Sequence, residues 1–257
     1  MFIFHRLCSV IMPIISSSLT LLVVITCLAL ANWQLNRAQD KQLRLDNISN
    51  VQAKGVMSWS ELQLLPTSLN KTGIKLQLTG HLQSEQYWLL DNRVFQKQVG
   101  FDVLAMFYPE QSNAAMIVNL GWVKAPKSRE QKAIVKLPSQ IITLEVQLKQ
   151  GDLAGFYLQK QQPNKGSWPK RIQYIDLAVM QQEVQQQSTA KLINFIAYSK
   201  EAKFSLQPHY EPVVMPPEKH LAYALQWLLL AVAAFLVFIF AVKPFNKTPQ
   251  ISGEQRE

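Results

Sequence analysis

A chain of 257 residues, 48% hydrophobic and only 17% charged, has room for one sizeable domain plus membrane segments and is too apolar for bulk disorder. Its net charge of +9 comes from 26 Lys and Arg against 17 Asp and Glu. They are scattered, with no dense run and no nucleic-acid module, so no nucleic-acid partner is expected, and a basic surface beside anionic headgroups accounts for the excess. The two cysteines, Cys8 and Cys27, lie in or beside the first apolar run. They exclude a disulfide framework and a Cys-x-x-Cys centre, and read as small lipid-facing apolar residues.

In chain order, residues 10–31 form the first uncharged run. Its 22 residues make a helix of roughly 33 Å, enough to cross a hydrocarbon core of about 30 Å. Ala29 to Ala31 resembles a signal-peptidase site, but the run is too long for a signal peptide's apolar region. Next comes "NWQLNRAQDKQLRLDNI", in which Trp33, Arg37 and Lys41 share one helical face. The helix is expected to leave the membrane there, with an aromatic-basic face at the headgroups. "SWSELQLL" predicts a short capped helix ended by Pro66.

Strand signals follow. "GIKLQLTGHL" alternates apolar and polar residues; "QYWLLDNR" predicts a strand entering a turn at Asp91-Asn92; "GFDVLAMFYP" is closed by proline. "AAMIVNLGWVKAP" carries Gly121 inside an apolar run, which predicts a bulge or close packing. "IITLEVQLKQG", "AGFYLQ" and "KLINFIAYSK" are further strands, and "DLAVMQQEVQQQ" is a helix with Asp176 as its cap and a polar glutamine face. Many short strands with few helices predict an antiparallel β-rich domain, a barrel or meander.

Residues 221–242 are the second uncharged run. The expected fold is therefore a two-pass α-helical membrane protein with a large β-rich (α+β) extramembrane domain between its transmembrane helices. Its parts are helix 1 at 10–31, the domain at 32–219, helix 2 at 221–242 and a short tail at 243–257. Flanking charges leave the sidedness open: Arg37, Lys41 and Arg44 follow the first run, Lys243 and Lys247 follow the second, and long loops translocate largely regardless of charge. No nucleophile elbow, P-loop, dinucleotide fingerprint or His-Glu-x-x-His is present, and His5, His81, His209 and His220 are far apart. His81 and His209 read as satisfied structural histidines, and no enzymatic activity is expected.

Four stretches together resemble one family. "WQLNRAQDK" matches a Trp-Gln-x-x-Arg-x-x-x-Lys signature after the first span, and "TGHL…YWLLDNR…VGFDVL" matches a strand, a Leu-Asp-Asn-Arg turn and a following glycine. "IVNLGWV" matches an Asn-Arg-Gly-Trp-Val motif, and "HLAYALQW" matches the His-x-x-Tyr-Ala-x-Gln-Trp-Phe opening of the last span. In this order, over nearly the whole chain, they resemble the surfeit locus protein 1 family of cytochrome c oxidase assembly factors, bacterial type. Three positions depart from the pattern: Leu120 for an arginine, Ala31 for a glycine and Leu228 for a phenylalanine.

The resemblance implies cytoplasmic termini and a domain on the periplasmic side of a bacterial plasma (inner) membrane. The nine residues ahead of the first run are too few for a mitochondrial presequence. It implies a chaperone-like role at the stage where haem a enters the catalytic subunit of the oxidase, with that subunit, haem a synthesis enzymes and the bilayer as partners. It also implies His220 as the residue that binds haem a iron. An imidazole is a common axial ligand, and Tyr223, Gln226 and Trp227 lie on or beside the His220 face of the helix. Trp33, Gln34 and Arg37 join that site if the spans pack together, Arg37 towards a propionate. A scaffold for oxidase subunits that binds no cofactor is the alternative, and a haem-modifying enzyme a further one.

Overall fold

The computed structural model describes residues 2–128, 131–154, 162–163, 166–184 and 190–242, with the side chains of 2–13 and 241–242 left aside. In chain order the elements are α1 (Phe2–Gln52), β1 (Val56–Ser58), α2 (Trp59–Leu64), β2 (Lys75–Phe95), β3 (Gln98–Pro109), β4 (Ala114–Lys124), β5 (Ile142–Gln150), β6 (Lys170–Ile172), α3 (Leu177–Val184), β7 (Lys191–Ser199) and α4 (Pro217–Val242). Two of them, α1 and α4, are long and apolar enough to cross a membrane, and they flank a mixed sheet. This is the two-pass architecture with a β-rich domain that the sequence predicts. The chain divides into two compact units, Met1–Arg44 with Val213–Glu257, and Leu45–Pro212.

In the second unit β2 pairs β3, β3 pairs β4, β4 runs parallel to β7, β7 pairs β5, and β5 returns to β2 through Lys75↔Gln147 to Gly80↔Ile142. Five strands thus close a barrel, which leaves no ladder edge open around the ring. Alternate side chains fill it, among them Leu76, Leu78, Leu89, Val103, Phe107 and Leu144; each such burial contributes roughly 2 kcal/mol. The outer side of β2, β3, β4 and β7 carries a second cluster, with Trp88, Leu104, Met106 and Ile196 packed under Met180 and Val184 of α3. Trp88 Nε1 donates to Glu183 at 2.6 Å, and Glu183 lies 3.6 Å from Lys170, so the charges under α3 are paired.

Local signals are met where they are strongest. Ser58 and Glu61 form a reciprocal capping box on α2, and Leu65, held extended before Pro66, ends it. Asp176 Oδ1 accepts from the backbone of Ala178 and Val179 and caps α3. The turn expected at Asp91-Asn92 is absent: β2 runs on to Phe95 with a register shift between Leu90 and Arg93. Asn92 takes the left-handed conformation there (φ 57°), as a bulge, and the hairpin reverses at Gln96 and Lys97, both at positive φ. The strand expected over 154–159 lies, past its first residue, outside the described residues, as does the end of the helix expected over 176–187.

Candidate functional site

The first unit is built on a repeat of three and four. Along α1, Cys27, Ala31 and Ala38 are buried, and Val24, Leu30, Gln34 and Lys41 are half-buried. Along α4, Pro217, His220, Ala224 and Ala231 are buried, and Trp227, Ala234 and Phe238 are half-buried. Steps of 3 and 4 keep a narrow stripe on one side of a helix and suit left-handed packing of two helices in lipid, where small residues let backbones approach. One hydrogen bond fixes the register: His220 Nδ1 donates to Gln34 Oε1 at 2.8 Å. Counting away from that pair in opposite directions puts Ala31 level with Ala224, Cys27 with Trp227 and Val24 with Ala231. Two small residues thus share the first level, and Cys27 stands opposite the indole at the second. Cys27 therefore belongs to the buried seam, not to the lipid-facing surface expected of it.

His220 is only 7% exposed. Its second ring nitrogen, Nε2, is buried and has no hydrogen-bond partner among the described residues. With the proton of Nδ1 given to Gln34, Nε2 carries the lone pair. An orphaned buried polar atom of this kind costs roughly 1–3 kcal/mol and calls for a partner or a role.

The other residues expected at the site divide. Trp227 lies on the seam, half-buried, about two turns beyond His220. Tyr223 (44% exposed), Gln226 and Trp33 (50% exposed) face outward. Arg37 is also exposed; its guanidinium lies 5.9 Å from the Trp33 ring centroid and 3.7 Å from Asp40. The seam is narrower than the face counted from the sequence, so His220, Gln34 and Trp227 share it, while Trp33 and Arg37 form a separate exposed pair.

In the second unit the resembling motifs meet in a place the sequence did not reveal. Asp102, buried on the outer side of β3, takes His209 Nε2 at 2.6 Å on one oxygen and Asn119 Nδ2 at 3.0 Å on the other, with Arg93 Nε 3.8 Å away. Asn119 Oδ1 in turn accepts from the Gly121 backbone at 2.9 Å, and Trp122 Nε1 donates to the Arg93 carbonyl at 3.1 Å. Gly121 sits at φ +122° against the Gln207 backbone, the close packing expected, in a bulge between the β3 and β4 registers. Gly100 leaves space for the Trp122 ring, which a Cβ would meet at 2.4 Å. Tyr198 stacks on Tyr210 at 3.8 Å; burial, then Tyr210 and Asp102, push its phenol well above the ordinary range. Leu120, where the family pattern has arginine, is buried inside the barrel. Arg93, Gly100, Asn119, Gly121 and Trp122 are therefore gathered around Asp102, with His209 joining from the segment after β7.

Compared with known proteins, residues 21–232, most of the chain, match the model of the SURF1 family. No curated protein matches the chain.

Proposed function

The chain belongs to the SURF1 family of cytochrome oxidase assembly factors, and on that premise we propose that it assists the delivery or insertion of haem a into the oxidase's catalytic subunit, with His220 as the iron ligand. The observation that carries this reading is the buried His220 imidazole with its unpartnered Nε2. Among the described residues no three His, Cys, Asp or Glu side chains gather to hold a metal ion. A lone imidazole suits a metal that arrives with its own equatorial ligands, as haem iron does. The residues present fit that cargo. His220 would hold the iron through a ring nitrogen, with the small Ala31 and Ala224 and the half-buried Trp227 on the same seam.

Haem a brings the redox iron that the oxidase needs; the chain's own part is to hold and release. Nε2 is sealed among protein atoms, so access to it requires the first turn of α4 to shift against α1. The energy to restore the closed pair is modest, since interhelical hydrogen bonds in membranes average about 0.6 kcal/mol. Such a balance suits transient loading better than permanent binding. Exposed Trp33 and Arg37 at the end of the first apolar run suit lipid headgroups. The reading further sets the protein in a bacterial plasma membrane, with the domain on the periplasmic side and both termini in the cytoplasm. Its partners are the catalytic subunit and the enzymes that make haem a.

Cells lacking the protein test this reading. Their membranes should contain the catalytic subunit with haem a sites under-occupied, and tagged protein captured during oxidase synthesis should carry haem a with that subunit. Full haem a occupancy without the protein overturns delivery. Colourless capture with the subunit bound favours a scaffold that holds no cofactor, and a chemically altered haem pool favours a modifying enzyme.

A further inference from the structure

We propose that Gln34 is a positioning residue that selects which nitrogen His220 presents. The inference rests on the reading of His220 as a haem ligand for the identity of the metal, but the geometry is its own. Free neutral imidazole favours the proton on Nε2, the nitrogen farther from the backbone. In that form the outer nitrogen has no lone pair to offer. Here Gln34 Oε1, an acceptor, lies 2.8 Å from Nδ1 and draws the proton to that nitrogen. At the opposite edge of the ring Nε2 is buried and without a hydrogen-bond partner among the described residues.

The rest of the seam supports the same role. Gln34 stands between Ala31 and Ala38, two buried small residues of the α1 stripe. Its partner lies 186 residues away on the other span, which makes the tautomer a property of the paired helices rather than of either alone. A histidine that binds a metal almost always donates its other ring N–H to an oxygen, and that outer partner fixes the ring orientation and raises the basicity of the ligating nitrogen. The outer partner is in place here. An amide can turn to offer either its oxygen or its NH₂, whereas a carboxylate only accepts. Gln34→Glu therefore preserves the selection and Gln34→Leu abolishes it.

The test uses the full chain in lipid nanodiscs, with its histidines labelled with ¹⁵N and the His220 signals assigned by their loss in His220→Ala. In the haem-free wild type, Nδ1 should carry the proton and Nε2 should be bare. Gln34→Glu should keep that pattern, and Gln34→Leu should move the proton to Nε2. Titrated with haem a, Gln34→Leu should bind about 10–100-fold more weakly, with Gln34→Glu close to wild type. Unchanged His209 signals report that the barrel of each variant is folded. A proton on Nε2 in the wild type, or a Gln34→Leu variant with unchanged ring signals and haem a affinity, overturns the positioning role alone. Nδ1–H in the wild type together with equal haem a binding by wild type and His220→Ala overturns the ligand reading, and the positioning role with it.

Discussion

Two histidines define the two units by contrast. His209, in the barrel unit, meets Asp102 at 2.6 Å, and that carboxyl is also held by Asn119 and approached by Arg93. His220, in the membrane unit, hydrogen-bonds to the Gln34 amide, and its other nitrogen is buried without a hydrogen-bond partner among the described residues. Asp102 gathers three polar side chains around it, although Arg93 Nε at 3.8 Å makes no hydrogen bond, whereas His220 has the one amide. A satisfied network stiffens a fold and fixes one arrangement. An unsatisfied buried atom costs stability and calls for an explanation. The contrast is between a carboxylate held by several parts of the domain and an imidazole held by one amide.

The contrast can be broken most forcefully from the barrel side. Asp102→Ala strips partners from His209, Asn119 and Arg93 at once. It should cost about 3 kcal/mol and lower the domain's melting temperature by about 6–12 °C; a change within about 1 °C would show that the network is not structural. Gly121→Ala forces a Cβ to within 2.8 Å of the Gln207 backbone at a positive φ. A loss of about 2 kcal/mol is expected in denaturant unfolding, and a neutral outcome would mean the bulge relaxes freely.

The membrane side yields more gently. Ala224→Leu overfills the layer opposite Ala31 and should cost about 1–2 kcal/mol, distributed into a parted seam. A sharper reading of the same layer order comes from cysteine pairs: Val24→Cys with Ala231→Cys should oxidise to a cross-link in membranes, whereas Val24→Cys with Leu229→Cys should not. Equal cross-linking of both pairs would contradict the register set by Gln34 and His220.

The sequence yields what depends on neighbours in the chain. The two apolar runs are legible because lipid demands continuous stretches, and the Ser58–Glu61 capping box and the alternation of Ile74, Leu76 and Leu78 are legible because each is set within one turn or strand. Barrel closure is not, since β5 returns to β2 and β4 runs parallel to β7 only through distant pairing. Asn92 misleads for a physical reason: its left-handed φ is the turn signal, but it is used in a bulge, while Gln96 and Lys97 make the turn with side chains that seldom announce one. The Asp102–His209 couple spans 107 residues, and a histidine met singly carries no trace of its partner. His220 and Gln34 were both legible as candidates, through the motifs that hold them. Their pairing was readable only in the step of three and four shared by Cys27, Ala31, Ala38 and by Pro217, Ala224, Ala231, a pattern narrower than the helical face on which Tyr223 and Gln226 were also placed.

The open nitrogen is the central claim, and one comparison tests it most directly. Full-length wild type and His220→Ala are purified from cells that make haem a, and their haem a content is measured by absorption spectroscopy. Removing His220 deletes one interhelical hydrogen bond and one unsatisfied atom, so the fold should hold within about 1 kcal/mol. The account predicts a haem a spectrum in the wild type that is lost in His220→Ala at unchanged stability. Equal haem a content in both proteins would contradict it.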